Sequence, residues 1–120
     1  MVLFIDKICQ FLSCSKNDLI LLLNNPIIKS QIENKFMGCL LKTTYKNKNN
    51  NYHYFNFFGL SIQDAKHQFA YNGFCQVSVR QHYYCRHRIL LKHYSLPCVI
   101  EYTINSKTNY YPIELLEIFE

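Results

Sequence analysis

The sequence predicts a small mixed fold, mainly β, in which N-terminal helices precede a partly open β barrel of the OB type. Two observations predict this fold class. Apolar residues in the first third of the chain recur at helical spacing, whereas the remainder contains five or so short segments of alternating apolar and polar residues, separated by turn-forming stretches. A chain of 120 residues suits one modest core, so we expect a single domain over residues 1–120.

Three helices are predicted in the first third. The first covers residues 2–12, where apolar side chains recur every three or four positions. The stretch "SKNDLILLLNN" supplies a cap residue and an apolar run for a second helix. Pro26 suits the first turn of a third helix, where its missing N–H would have no partner in any case. Gly38 is expected to end this helix, because glycine readily adopts the left-handed conformation of a helix end.

The remainder of the chain is predicted to be β structure around one short helix. "KNKNNN" at 46–51 favours an exposed hairpin loop, because these residues form turns and have little apolar surface to bury. Ser78 is expected to cap a helix over 79–86, and Pro112 to end the last strand. The other predicted strands cover residues 39–45, 52–60, 73–79, 88–94 and 96–104.

The positive charge of the chain is concentrated in its middle. The net charge is +5, and between Asn34 and Ile100 nine lysines and arginines are accompanied by a single acid, Asp64. Such asymmetry builds a positive face, which favours a polyanionic partner and makes binding sensitive to salt. The alternative is a basic surface that is solvated and binds no partner. We expect instead that the surface binds a polyanion.

The cysteines and the N-terminal residues bear on the compartment. The six cysteines show no CxxC pair and no regular framework, so we expect reduced thiols in an intracellular protein of the cytoplasm or nucleus. "MVLFIDKICQFL" lacks the basic segment and the cleavage site of a signal peptide. Asp6, Lys7 and Gln10 interrupt its apolar run, so we expect neither a membrane span nor a membrane partner.

Catalysis and metal binding have to be weighed as alternatives. Cysteines lie near the histidines of the second half, but the chain has no paired-carboxylate motif, GxSxG, P-loop or HExxH, so we expect no enzymatic activity. His82, Cys85, His87 and His93 include one CxH pair, whereas zinc sites usually show tighter pairs such as CxxC or HxxxH. A thiol facing the core beside outward histidines explains the same pattern, so we expect neither a metal nor a cofactor.

The stretch "RQHYYCRHRILLKHYSLPC" at 80–98 combines cations, histidines and tyrosines without one acid. Single-stranded nucleic acid is held by a positive groove whose aromatic side chains stack on the bases. Residues 65–100 supply both ingredients, although roughly half of the rings in so small a barrel are expected to point inward. Nucleic-acid binding therefore explains this stretch better than catalysis or metal binding does.

The series "VSVRQHYYCRHRILLKHYSLPC", followed by "KTNYYPIELLEI", resembles the PAZ domain of Argonaute and Piwi proteins. "FMGCLLKTTY" resembles the strand that opens the barrel of that family, and "GLSIQDAKHQF" resembles the segment before its small insertion. The resemblance covers nearly the whole chain and implies an OB-like barrel with a β-hairpin and helix insertion. It divides the chain into a helical lead-in at 1–37, first barrel strands at 38–60, the insertion at 61–79, and a helix with the remaining strands at 80–120.

The resemblance also implies that the domain captures the 3′ end of a small guide RNA, as a single-stranded end or a two-nucleotide overhang, and has no catalytic role. The expected partners are that RNA and the remaining domains of an Argonaute-class protein acting in RNA-mediated gene silencing. One alternative is a degenerate PAZ fold that lost its RNA pocket and acts as a structural or protein-docking module. An accessory domain of a Dicer-like nuclease is another, but the short segment 66–74 leaves little room for the basic insertion that often extends the pocket there.

The resemblance places phosphate-binding side chains on two histidines. Where the family typically has two tyrosines, this chain has His82 and His87, and an imidazole can also donate to a phosphate. Five residues along one continuous helix rotate a side chain by about 140°. We therefore expect the helix to end between the two histidines, so that both rings can face one space.

Further phosphate contacts are implied on the first barrel strands and beside the histidines. A histidine of the first strand in the family falls on Tyr45, and Arg86 matches a basic position next to the phosphates. A tyrosine of the second strand falls near Tyr54 or Phe55, because the "NKNNN" insertion blurs the alignment.

The terminal nucleotide is implied to lie between two aromatic rings. The stacking aromatic of the insertion falls on Phe69, and Tyr110 is expected to close the other side of the base or ribose. Lys107 matches a residue that flanks the terminal nucleotide, and Tyr111 is expected to contribute backbone or packing contacts.

Overall fold

The computed structural model describes residues 2–70, 77–103 and 107–119. Its helices are α1 (Phe4–Leu12), α2 (Lys16–Leu23), α3 (Pro26–Phe36) and α4 (Val79–His87). Its strands are β1 (Val2–Leu3), β2 (Leu40–Lys46), β3 (Tyr52–Asn56), β4 (Leu60–Asp64), β5 (Pro97–Tyr102), β6 (Thr108–Pro112) and β7 (Leu116–Ile118), and a 3₁₀ turn spans Ile113–Leu115.

The three predicted N-terminal helices form, with ends that the local chemistry explains. Helix α1 begins at Phe4, because the two residues before it, Val2 and Leu3, pair with β7. Asn25 caps α3 by accepting a hydrogen bond from the N–H of Ile27, next to the proline of the first turn. The chain then turns at Gly38, whose φ of +80° favours glycine. No helix in the described residues is long and apolar enough to cross a membrane.

The strands form two antiparallel sheets, ordered β1-β7-β2-β3 and β4-β5-β6. Within the described residues, no pairing joins the sheets into a closed barrel, which agrees with the partly open barrel expected from the sequence. Phe4 stands between α3 and the sheets, since its ring meets those of Phe36 and Phe57 at 5.4 Å, edge to face. This core brings the two sheets and the N-terminal helices together.

The prediction of a strand over residues 88–94 is wrong. Arg88 ends α4 in the left-handed conformation, and the following residues join no sheet. The carboxylate of Glu114 instead accepts hydrogen bonds from the N–H groups of Lys92 and His93, at 3.1 and 2.8 Å. Burial still alternates along these residues, and Leu91 is only 3% exposed. The alternating apolar pattern therefore indicated which side chains are buried, but not a strand.

Two further differences concern the middle of the chain. The expected strand at 52–60 ends at Asn56, and a new strand, β4, begins at Leu60 and pairs with β5, within the stretch assigned to the insertion. The expected strand at 73–79 lies largely outside the described residues. Its described part forms one isolated bridge, between Ser78 and Phe69.

Helix α3 covers the outer edge of β4. The Lys29 ammonium donates to the carbonyl oxygen of Ser61 at 2.6 Å, and a Glu33 carboxylate oxygen accepts from the N–H of Leu60 at 3.3 Å. The same oxygen would lie 2.8 Å from a Cβ at position 59, so Gly59 permits this close approach. The edge strand is thus capped by charged side chains rather than by another strand.

Candidate functional site

A cleft of about 290 Å³ opens between the two sheets and α4. Both sheets, the helix and one residue of the 65–70 segment contribute side chains to it. The lining residues are Thr43, Tyr45, Asn47, His53, Ala70, His82, Tyr83, His87, Asn109, Tyr110 and Tyr111.

A capping box fixes the start of α4, the helix that carries both predicted histidines. The Ser78 hydroxyl accepts from the N–H of Gln81 at 3.1 Å, and the Gln81 side chain accepts from the N–H of Ser78 at 3.0 Å. Val79 and Tyr83, four residues apart, are buried and hold the helix against the sheet. The predicted cap and helix are therefore confirmed.

The expectation that α4 ends between His82 and His87 is wrong. The helix continues through His87, yet the two imidazole centroids lie only 5.5 Å apart. Both rings pack on Tyr83: His82 meets it edge-on at 5.2 Å, and His87 stacks on it at 5.1 Å. Since His87 lies four residues after Tyr83, its side chain reaches back along the helix and meets His82 over the tyrosine ring.

Tyr45 joins the histidines from the sheet. Its ring centroid lies 4.8 Å from that of His87, and its hydroxyl is hydrogen-bonded to the hydroxyl of Tyr83. Burial raises the pKa of Tyr45 to about 12, and burial also raises the pKa of Tyr83 well above its usual value. Both hydroxyls therefore stay neutral at physiological pH and add no negative charge to the cleft.

The two imidazoles are held neutral in the free protein. Burial lowers the pKa of His82 first, and the neighbouring His87 and Arg86 lower it further. Burial likewise lowers the pKa of His87, with Arg86 as the second cause. An anion bound against both rings would oppose all of these effects, because it favours the charged imidazolium.

A register shift in β2 brings the sheet residues into the cleft. The pairing of β2 with β3 shifts between Lys42 and Lys46. There the buried hydroxyl of Thr43 donates to the carbonyl oxygen of Tyr45 at 2.8 Å and accepts from the N–H of His53 at 3.0 Å. The Thr43 hydroxyl thus bonds two backbone groups that the irregular pairing leaves without strand-to-strand partners.

A carboxylate holds three side chains of the opposite wall of the cleft from behind. Glu101 accepts hydrogen bonds from Tyr111 at 3.0 Å and Asn109 at 3.1 Å on one oxygen, and from His53 Nε2 at 2.8 Å on the other. The side chain of Glu101 is 14% exposed. Since His53 lies on β3 and the other three residues on β5 and β6, this carboxylate links the two sheets.

A basic groove adjoins the histidine side of the cleft. It has a volume of about 510 Å³ and is lined by Arg86, Lys46 and Lys48 together with Asn47 and both histidines of α4. Asn47 orders the hairpin turn, because its side-chain oxygen accepts from the N–H groups two and four residues later. The turn is exposed as predicted, and it also forms a wall of this groove.

Five of the nine residues predicted to bind RNA lie together in the cleft, and Arg86 lies in the adjoining groove. Those five are Tyr45, His82, His87, Tyr110 and Tyr111.

The structure places Tyr54, Phe69 and Lys107 outside the cleft lining. Tyr54 is 51% exposed and packs against Phe119, because alternation along β3 turns it away from the cleft. Phe69 is 47% exposed and lines a separate groove with Lys66. Lys107 is exposed, and its carbonyl oxygen accepts from Thr103. Phe69 and Tyr110 thus line different grooves, and the sandwich of a base between them stays a prediction.

Sequence reasoning missed several residues of the cleft, of which His53 is the most informative. It shares the face of β3 with Phe55, which is buried and stacks on Tyr111 at 4.6 Å. Its position two residues before Phe55 could have identified it, because residues two apart on a strand share a face. Thr43, Asn47, Ala70, Tyr83 and Asn109 were also missed.

The described residues contain no group of three or more His, Cys, Asp or Glu side chains that could hold a metal ion. The polar groups of the cleft suit hydrogen bonding to an anion and to hydroxyl groups, since imidazole, phenol and amide side chains supply both donors and acceptors.

No family model matches the chain, and no curated protein matches it by sequence. Solved structures do match it. A Drosophila Argonaute 2 PAZ domain, described for 3′-end recognition of nucleic acids, is 19% identical with a TM-score of 0.70, over 99% of this chain and 94% of that one. A second structure of the Drosophila Argonaute2 PAZ domain, described for nucleic acid binding, is 18% identical with a TM-score of 0.72, over all of both chains.

A Drosophila Ago PAZ domain in complex with 3′-end 2′-O-methylated RNA is also similar. It is 21% identical with a TM-score of 0.64, over 78% of this chain and 79% of that one. These likenesses span the helical lead-in, both sheets and α4. The chain has the fold of Argonaute PAZ domains.

Proposed function

We propose that this domain binds RNA by capturing its 3′ end in the cleft between the two sheets and α4. The observation that carries the proposal is the convergence of His82, His87 and Tyr45 on one space. Their rings lie within 5.5 Å of His87, although Tyr45 is far from the histidines in the sequence. Imidazole and phenol groups donate hydrogen bonds to phosphate oxygens, and an imidazolium does so more strongly.

The surroundings of these three residues favour a polyanion. Arg86, Lys46 and Lys48 line the adjoining groove, so the backbone of an RNA leaving the cleft meets positive charge. The cleft itself is small, and the tyrosines of β6 line its far side. Its size suits one nucleotide, which favours a chain end over an internal segment. The similar Drosophila PAZ domains are described for recognition of 3′ ends.

The wider role follows from the same resemblance. In this proposal the RNA is the guide strand of a small silencing RNA, and the domain acts within an Argonaute-class protein beside its other domains. Each base stacked on an aromatic ring contributes about 1–3 kcal/mol. Tyr110 is the ring in the cleft that can supply this, while Phe69 lies in its own groove.

The test is a fluorescence anisotropy titration with a short RNA labelled at its 5′ end, so that its 3′ hydroxyl is free. The proposal predicts that an RNA with a bulky 3′ block binds at least about tenfold more weakly, because the cleft accepts only an end. Replacing His82 and His87 together by alanine should weaken binding of the free end by a similar factor, whereas His93→Ala, outside the cleft lining, should not.

A degenerate PAZ fold acting as a docking module is the alternative, and one observation favours it. The hydroxyls of Tyr45 and Tyr83 bond each other, and Glu101 already occupies donors of the opposite wall. No binding of either end would support this alternative, and equal binding of free and blocked ends would reject the capture of 3′ ends.

A further inference from the structure

The side of α4 that faces away from the cleft carries a second groove, with a volume of about 410 Å³. Successive residues of a helix are rotated by about 100°, which separates the α4 residues of this groove from those that line the cleft. The groove is lined by Arg80, Gln81, Tyr84, Cys85 and Leu90. None of these five side chains lines the cleft, so the outer face of α4 is a separate surface.

The groove presents apolar side chains that the fold holds in place. Tyr84 is 57% exposed and Leu90 is 66% exposed. The N–H of Ile89 donates to the carbonyl oxygen of Tyr83 at 3.0 Å, and Leu91 is buried, so the chain that leaves the helix is fixed on both sides of Leu90. An apolar side chain from a partner would remove both exposed residues from water without first having to order this segment.

The charge at the edge of this groove is positive and lacks an acidic partner. The Arg80 guanidinium lies 3.9 Å from the centroid of the Tyr94 ring, a cation–π contact that positions it beside the groove. Arg88, which is exposed, lies between Cys85 and Leu90 in the chain. Residues 65–100 contain no acid, and among the described residues no carboxylate forms an ion pair with either arginine. The complementary ligand therefore carries carboxylates next to an apolar side chain.

We propose that the outer face of α4 docks an acidic peptide segment of a partner protein, with an apolar side chain of the peptide in the groove and a carboxylate paired with Arg80. Arginine and tyrosine are the side chains that protein interfaces favour, and both occur here. An RNA backbone would satisfy the arginines but leave Leu90 uncovered, so the apolar lining favours a peptide over a nucleic acid. The inference goes beyond RNA capture, because the domain could hold RNA in the cleft and a protein on the opposite side of the same helix.

The experiment is an NMR titration of the ¹⁵N-labelled domain with a short peptide, blocked at both ends, in which a leucine and a phenylalanine are flanked by aspartates. The amide shifts that change most should be those of the five groove residues and their neighbours in the chain. Two matched peptides, one with serines in place of the apolar pair and one with asparagines in place of the aspartates, should each bind at least about tenfold more weakly. The affinity should also fall as salt is added, because the ion pairs are exposed.

Variants of the domain separate the two parts of the inference. Leu90→Ser removes the apolar contact and Arg80→Gln removes the charge, and each should weaken peptide binding at least about fivefold. Leu21→Ser and Lys35→Gln, which make the same changes on α2 and α3, should leave it unchanged.

The shift map of the wild-type domain decides the inference even where a variant does not fold. No binding of the aspartate peptide, or shift changes centred on the cleft residues, would overturn the inference. It would also be overturned if a short RNA shifted the groove residues more than the peptide does, which would make this face a nucleic-acid contact. Shifts of the groove residues that depend on the concentration of the domain alone would assign the face to a second copy of the chain, with the same consequence.

Discussion

The two histidines of α4 predict that RNA binding is coupled to the uptake of protons. Burial and neighbouring charges hold the pKa of His82 and of His87 below the usual 6.5, so both are neutral at physiological pH in the free protein. A phosphate bound against both rings would raise both pKa values, because it favours the imidazolium. Affinity should therefore rise as pH falls through the pKa values of the complex, and level off below those of the free protein.

The magnitude follows from the distance between the rings. Two charges 5.5 Å apart repel each other by about 3 kcal/mol at an effective dielectric constant of about 20. This repulsion makes the second proton harder to bind than the first in the free protein, and a bound phosphate offsets it. We expect the affinity to increase by about tenfold per pH unit for one proton, and by up to about a hundredfold for two.

Protonation of the two histidines strengthens RNA binding but should destabilise the free domain. The unfolded chain has ordinary histidines, which bind protons at a higher pH than the folded His82 and His87 do. Their contribution to the free energy of unfolding should therefore fall as pH drops below about 6.5, and stop falling below the folded-state pKa values. Thermal unfolding at each pH has to accompany the titration, to show that the domain is still folded.

The assay is fluorescence anisotropy with a 5′-labelled RNA at constant ionic strength, from about pH 7.5 to about pH 5.5. Replacing His82 and His87 together by glutamine should flatten the profile, whereas His93→Gln, which lies outside the cleft lining, should keep it. A flat wild-type profile, or a wild-type slope in the double variant, would refute a direct contact between these imidazoles and phosphate.

Three further predictions concern the supports of the cleft. Ser78→Ala removes the cap of α4 and should lower the free energy of unfolding by about 1 kcal/mol in urea titrations, whereas a value unchanged from wild type would contradict the cap's role. Tyr83→Phe leaves the half-buried Tyr45 hydroxyl without its partner and should cost about 1 kcal/mol in the same measurement; a neutral effect would argue against that hydrogen bond. Burial raises the pKa of Cys98 to about 12, so iodoacetamide followed by mass spectrometry should modify exposed Cys85 in the native domain and reach Cys98 only after unfolding.

Helix α4 was predictable because its signals are local. Ser78 and Gln81 form the capping box three residues apart, and this box marks the start of the helix. The end at Arg88 carried no such signal, because arginine is an unusual residue for the left-handed conformation. The sequence therefore predicted that both histidines lie on or beside the helix, but not that the helix continues through His87.

The opposite wall of the cleft could not be predicted, because its contacts are distant in the sequence. His53 and Glu101 lie 48 residues apart, and nothing near either residue indicates the other. The "NKNNN" insertion also blurred the match of the hairpin to the PAZ pattern, which pointed to Tyr54 or Phe55, whereas the structure places His53 in the cleft lining. Phe69 was assigned to the cleft by the same resemblance, whereas the structure places it in a separate groove.

The cover that α3 places on the edge of β4 bears on whether that edge can pair with another molecule. Lys29 and Glu33 occupy backbone groups that an extended segment of another molecule would otherwise reach. A shortened protein beginning at Gly38 would lose both side chains and bare a sheet margin that carries Ile62, which is 95% exposed. Such a fragment would be prone to aggregate, so the lead-in helices protect solubility as well as completing the core.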